Sequence, residues 1–194
     1  MLDNIRKYDV VLASKSPRRK ELLGMLDVPF EIRVKDGIDE SYPADMPAVE
    51  VAEYLSRLKG KAYAEDIREN EMVITADTIV ILDGKIYGKP KNEDDAIDML
   101  MQLQGRTHIV ASGVCVATKE KIVSFTTTTE VTFAPLSREE ATWYVEKYRP
   151  LDKAGAYGIQ EWIGCAAVAR IDGSFYNVMG LPVHQLYNVL KDEF

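Results

Sequence analysis

Leu12-Ala-Ser-Lys-Ser-Pro-Arg-Arg-Lys-Glu-Leu-Leu23 is the segment from which the rest of this chain becomes readable. The short apolar run Val10-Val11-Leu12 reads as a buried strand that feeds a small polar turn. Pro17 then stands where a helix begins, a position at which its missing N–H costs nothing. Ser16, just before it, has a hydroxyl suited to cap an exposed N–H. Arg18 and Arg19 follow at once, at the end of a helix whose dipole disfavours cations. Two arginines there are accounted for if an anion, and a phosphate above all, is held between them and the free N–H groups, with Ser14 nearby. The alternative is a solvated helix face made of Arg18, Arg19 and Lys20.

Around that segment the composition is ordinary. The chain has 194 residues, 46% hydrophobic and 28% charged, which predicts one globular domain over residues 1–194. No apolar run approaches the roughly 18 residues of a membrane span. The first residues, Met-Leu-Asp-Asn-Ile-Arg-Lys, lack the apolar centre of a signal peptide. Cys115 and Cys165 both lie in apolar, strand-like runs and read as small buried hydrophobes rather than as a disulfide or metal pair. A net charge of −7 argues against nucleic acid polymers and anionic membranes as partners. A small anion still fits wherever the cations of Lys15/Arg18/Arg19/Lys20, Lys59/Lys61 or Lys85/Lys89/Lys91 converge.

Strands and helices alternate along the chain with both hairpins and crossovers, so the expected fold class is α/β around one curved mixed sheet flanked by helices. Strands are expected over 9–13, 30–34, 72–76 with 78–82, 85–87, 108–118 and 121–133, and again over 165–171. Helices are expected over 17–26, about 48–68, 93–103, from Ser137 to about 147, and after Pro182. Asn92 and the Ser137-Arg-Glu-Glu140 capping box mark two helix starts. Asp83-Gly84 marks a hairpin.

Four places are candidates to carry chemistry. Asp77, in Thr75-Ala76-Asp77-Thr78, interrupts an apolar strand, where a carboxylate is costly unless paired, hydrogen-bonded or bound to metal. The following hairpin, ending in Gly88-Lys89-Pro90, is expected to fold Lys89 back beside it. That pairing suits phosphate chemistry, with the acid holding a cation or orienting water and the ammonium offsetting phosphate charge. Asp39 and Glu40, in a loop after Gly37, are candidates to complete a Mg²⁺ site, the alternative for either one alone being a plain acidic loop. Lys61, on the long helix, is either a phosphate contact or a solvated lysine. In Asp152-Lys-Ala-Gly-Ala-Tyr-Gly-Ile-Gln160 the glycines Gly155 and Gly158 permit turns or close approach. There Tyr157 offers an aromatic surface, and the Gln160 amide can read a pyrimidine edge; the alternative is an ordinary loop with one buried tyrosine.

Taken in order, these strings resemble the Maf-type nucleoside triphosphate pyrophosphatases over nearly the whole chain. The segment from Leu12, Gly37–Glu40, Ala76–Val80 and Gly88–Pro90 carry the resemblance, with Lys61-Ala62, Ser112-Gly-Val, Leu151–Gln160 and Asn177-Val-Met-Gly-Leu-Pro182. It implies an elongated fold like that of the inosine triphosphatases, with a deep cleft between two lobes. It also implies hydrolysis of a nucleoside triphosphate to the monophosphate and pyrophosphate, with a divalent cation (Mg or Mn), in the cytoplasm, by a homodimer. By the same resemblance Asp77 is the proton acceptor, and Arg18, Thr78 and Gln160 select the substrate. Ser14, Arg19, Lys61 and Lys89 join them as substrate contacts, and Asp77 with Glu40 as metal ligands. Ala-Asp-Thr with Gly-Ile-Gln resembles the branch acting on dTTP and UTP, linked to nucleotide-pool cleaning and division arrest. The sister branch, acting on 7-methyl-GTP, and a non-catalytic nucleotide-binding regulator are the alternatives. Lys15 and Glu161-Trp162-Ile163 depart from the family pattern, the latter beside the base-reading glutamine.

Overall fold

Val10, Val11 and Leu12 are buried in strand β1 (Asp9–Leu12), which has a parallel neighbour on each side. Val10 stands opposite Phe30 of β2 (Phe30–Ile32) and Met72 of β3 (Glu71–Leu82), and Leu12 opposite Ile32 and Ile74. All three side chains are at most 4% exposed, so both faces of the strand are covered and it reads as a continuous apolar run. The computed structural model describes Leu2–Phe194. In it β1–β3 join β4 (Lys85–Tyr87), β5 (Thr107–Ala117), β6 (Ile122–Phe133) and β7 (Val168–Asp172) in one mixed sheet of order β2-β1-β3-β5-β6-β7, with β4 on β3.

The described chain forms two compact units. One comprises the residues up to Asp77, Ser112–Thr127 and Gly180–Phe194; the other comprises Thr78–Ala111 and Thr128–Met179. Strands β3, β5 and β6 each run through both.

In the first unit, α1 (Pro17–Gly24) starts as expected, with the Ser16 hydroxyl accepting the Arg19 N–H. Helix α2 (Ala48–Ala64) stops four residues short of the expected end. Lys35 is responsible in part, since its ammonium donates to the Ala62 carbonyl and pairs with Asp66 just beyond the helix. A cation at a helix C-terminus is favoured by the dipole. Helix α7 (Val183–Glu193) closes this unit after Pro182.

In the second unit, α3 (Glu93–Leu103) is capped by Asn92, and α4 (Arg138–Tyr148) begins with both bonds of the capping box. The expected strand over 165–171 is half helix. Residues Trp162–Ala166 form α5, and β7 starts only at Val168. Gly164 permits this, because a Cβ there would lie 1.7 Å from the Ile159 carbonyl oxygen. Cys165 is therefore exposed, contrary to expectation. Cys115 is buried in β5, its thiol pushed up to about 11 by burial. Asn177 is buried in α6 (Phe175–Met179), and its amide donates to the Val110 carbonyl and the Thr129 hydroxyl.

Tyr157 is buried as well, so the aromatic surface expected of it is not offered. Its hydroxyl lies 2.7 Å from His108 Nε2, and both rings pack on Phe133. Burial lowers the His108 pKa from 6.5 to about 4. Between those values the unfolded chain holds more protons than the folded one, so stability rises with pH there. The contribution is complete above pH 6.5 and is lost as the pH falls toward 4. Urea denaturation at pH 7 and pH 5 is expected to show wild type losing about 2 kcal/mol more than His108→Gln.

Candidate active site

Asp77 sits in the middle of β3, where it and Thr78 are the partly exposed pair of a strand otherwise buried along its length. The β3–β4 ladder pairs Val80 with Tyr87, Ile81 with Ile86 and Leu82 with Lys85. Lys89 lies beyond it and is exposed. Within the first unit, the partner of Asp77 comes from α2. Lys59 Nζ stands 2.6 Å from Asp77 Oδ1 and 2.9 Å from Glu40 Oε2. The side chains of Lys59 and Asp77 are only 15% and 16% exposed, so their attraction is less screened than that of a surface pair.

Lys59, rather than the expected Lys61, is the lysine at this carboxylate pair. Lys61 is exposed and lines a groove of about 520 Å³ along α2 with Met46, Glu50, Tyr54 and Arg57. Helical phase separates the two lysines. Position 59 lies one turn from the buried residues Leu55, Ser56 and Tyr63, on the face turned to the sheet.

Arg19 reaches the same place from α1. Its Nε donates to the Gly180 carbonyl at 2.9 Å and its Nη1 to the Ala76 carbonyl at 2.8 Å, next to Asp77. Burial lowers the Arg19 pKa; Asp77 and Glu40 raise it and Arg18 lowers it further. Arg18, Arg19, Asp77 and Glu40 therefore share one electrostatic neighbourhood with Lys59. Three cations face two carboxylates, a balance suited to an anion that brings its own countercation. Ser14 is buried, with its hydroxyl accepting the Ser16 N–H at 3.1 Å. Asp39 is engaged locally by Ser41.

The Asp77 and Glu40 carboxylates converge on one cationic point. Among the described residues no group of three His, Cys, Asp or Glu side chains gathers to hold a metal. Two carboxylates are nonetheless the usual protein share for Mg²⁺ when phosphate oxygens and water complete the shell. The donor set fits such an ion.

In the second unit, Gly155 (φ +67°) makes its close approach to the chain itself rather than to a ligand. A Cβ there would lie 2.8 Å from Val80 Cγ2, and its N–H donates to the Gly88 carbonyl. Gln160, at the end of this segment, is exposed. Beside it Trp162 packs edge-on against Trp143 (4.9 Å) and lies nearly parallel to Tyr144 (6.4 Å).

The family profile described as Maf-like protein matches residues 9–193. The chain belongs to the Maf family. It is 53% identical over 191 residues to the dTTP/UTP pyrophosphatase of Bacteroides thetaiotaomicron, with 98% of this chain and 99% of that one covered. It is 54% identical over 194 residues to the protein of the same name from Porphyromonas gingivalis, with 99% and 98% covered. Its fold is also similar to that of the Staphylococcus aureus Ham1 protein (TM-score 0.55, 18% identity, 93% and 98% covered). The expected α/β class, one mixed sheet flanked by helices, is thus the one observed.

Proposed function

We propose that this Maf chain hydrolyses the α–β phosphoanhydride of UTP and dTTP, giving the monophosphate and pyrophosphate with the help of a divalent cation. The observation that carries the reading is the convergence of Asp77, Glu40 and Lys59. The names and near-complete coverage of relatives above 50% identity support the substrate class.

In this reading Arg18, Ser14 and the N–H groups of the α1 start receive the triphosphate. Arg19 contributes charge while its bonds to the Ala76 and Gly180 carbonyls fix β3 beneath Asp77. The cation, held by Asp77 and Glu40 when bound, would neutralise phosphate oxygens and lower the pKa of water. Asp77 accepts the proton of the attacking water as its oxygen bonds to phosphorus and pyrophosphate leaves with the bridging oxygen. Lys59, released from the carboxylates, offsets charge on the phosphate oxygens. Lys61 and Lys89 add to that offset, and Thr78 and Gln160 contact the sugar and base. We further propose that the chain works as a single domain and as a homodimer, in the cytoplasm where its substrates are made. Among the described residues no helix is long and apolar enough to cross a membrane.

The test is a panel of UTP, dTTP, CTP and 7-methyl-GTP with Mg²⁺ or Mn²⁺, read by pyrophosphate release. UTP and dTTP are expected to lead. Release from 7-methyl-GTP alone moves the chain to the sister activity, and none from any nucleotide leaves a binding protein. Lys59→Ala is expected to lower kcat/KM for UTP about a hundredfold, and Lys61→Ala to cost less.

A further inference from the structure

Gln160 is exposed, and a free glutamine amide on a mobile loop discriminates poorly between base edges that differ by one donor and one acceptor. Its segment is held from beneath. The Tyr144 hydroxyl, on α4, accepts the Gly158 N–H at 3.0 Å and donates a short hydrogen bond to Glu161 Oε2. Lys153, with a side chain only 10% exposed, places its ammonium 3.1 Å from Glu161 Oε1. The Glu161 N–H closes the turn on the Gly158 carbonyl at 2.9 Å. Gly158 lies directly under both side chains. A Cβ there would be 2.8 Å from Glu161 Cδ and 3.0 Å from both Gln160 Nε2 and Glu161 Oε1.

We infer that Glu161 is a positioning residue for nucleobase selection, holding the Gly158–Gln160 turn through Tyr144 and Lys153 so that the Gln160 amide meets the imide edge of a uracil or thymine. The inference rests on the pyrophosphatase reading and deepens it. Tyr144 can serve Glu161 only as a neutral donor. Burial, and the hydrogen bond to Glu161, push its hydroxyl pKa well above the ordinary tyrosine value. The carboxylate oxygens are engaged by Tyr144 and Lys153, so Glu161 acts through the turn rather than on the nucleotide itself. Its effect is on the entropy of ordering Gln160 when the nucleotide binds.

Glu161→Ala is therefore expected to raise KM for UTP about threefold to tenfold, the cost of one side chain left to be ordered on binding, with kcat little changed. The preference for UTP over CTP in kcat/KM falls by a similar factor. Glu161→Gln restores most of both, since a side-chain carbonyl still accepts the Tyr144 hydroxyl. Hydrogen exchange at the Gly158 amide accelerates in Glu161→Ala and in Tyr144→Phe. An unchanged UTP:CTP ratio in Glu161→Ala overturns the inference. So does a loss confined to kcat that is equal for the two nucleotides. If the wild-type protein releases no pyrophosphate, the underlying reading fails, and unchanged Gly158 exchange in the variants then removes the positioning claim as well.

Discussion

Asp77→Asn is expected to reduce pyrophosphate release from UTP about a thousandfold, with nucleotide binding retained and only a small loss of stability. Asparagine matches the shape of aspartate, so β3 keeps its course and the change is almost purely chemical. The amide cannot take the proton of an attacking water, and it offers a metal one neutral oxygen in place of a charged carboxylate. Truncating one partner of a buried ion pair often costs about 3–5 kcal/mol because the other charge is stranded. Lys59 is not stranded here. Glu40 Oε2 remains 2.9 Å from its ammonium, so a loss nearer 1 kcal/mol is expected, the scale of a pair that keeps an alternative partner. Steady-state turnover with UTP, a nucleotide titration and a urea midpoint separate the three effects. Turnover within tenfold of wild type would remove Asp77 from the chemical step.

Gly113→Ala is expected to produce the largest stability loss of any single-methyl change in the first unit. Gly113, in β5, faces α2 so closely that a Cβ would lie 2.2 Å from the Ala52 carbonyl carbon, 2.2 Å from the Glu53 nitrogen and 2.3 Å from the Ala52 oxygen. These are backbone atoms, and no rotamer change relieves them. The helix must move as a body, and Ala52, itself fully buried, must come with it. Overpacking of this kind costs about 3 kcal/mol, which lowers Tm by roughly 6–12 °C for a chain of this size. The functional consequence follows from what α2 carries. A helix pushed off the sheet withdraws Lys59 from Asp77, so turnover at low temperature, where the variant is still folded, is expected to fall as well. Gly24→Ala, where a Cβ meets nothing within 4 Å and alanine favours the helix, is the control and should not lower Tm. A Gly113→Ala protein melting with the wild type would mean that α2 repacks freely.

Much of this architecture is written locally. Ser16-Pro17, Asn92 and Ser137 with Glu140 name their helix starts through hydrogen bonds made within three residues. Asp83-Gly84 likewise sets its hairpin, with φ values of +52° and +75°. Features that depend on distant contacts were less legible. Apolar character alone made 165–171 a strand, whereas the approach of Gly164 to Ile159 bends its first residues into a helical turn. Lys59 was within reach of the sequence. A lysine on the buried stripe of an amphipathic helix demands a buried acid, and the helical period distinguishes it from Lys61. The pairing of Glu161 with Tyr144 and Lys153 had no such signal, because α4 and the glycine-rich segment meet only in the folded chain.

The contrast between the two cysteines gives this protein a built-in handle. A maleimide reacts with thiolate, which Cys115, buried and with its thiol pushed up to about 11, rarely presents. Exposed Cys165 stands on the short helix that follows Gln160 and carries Trp162. One fluorophore can thus be attached to the unmutated chain close in sequence to Gln160, the base contact proposed above, where its emission is expected to follow nucleotide arrival.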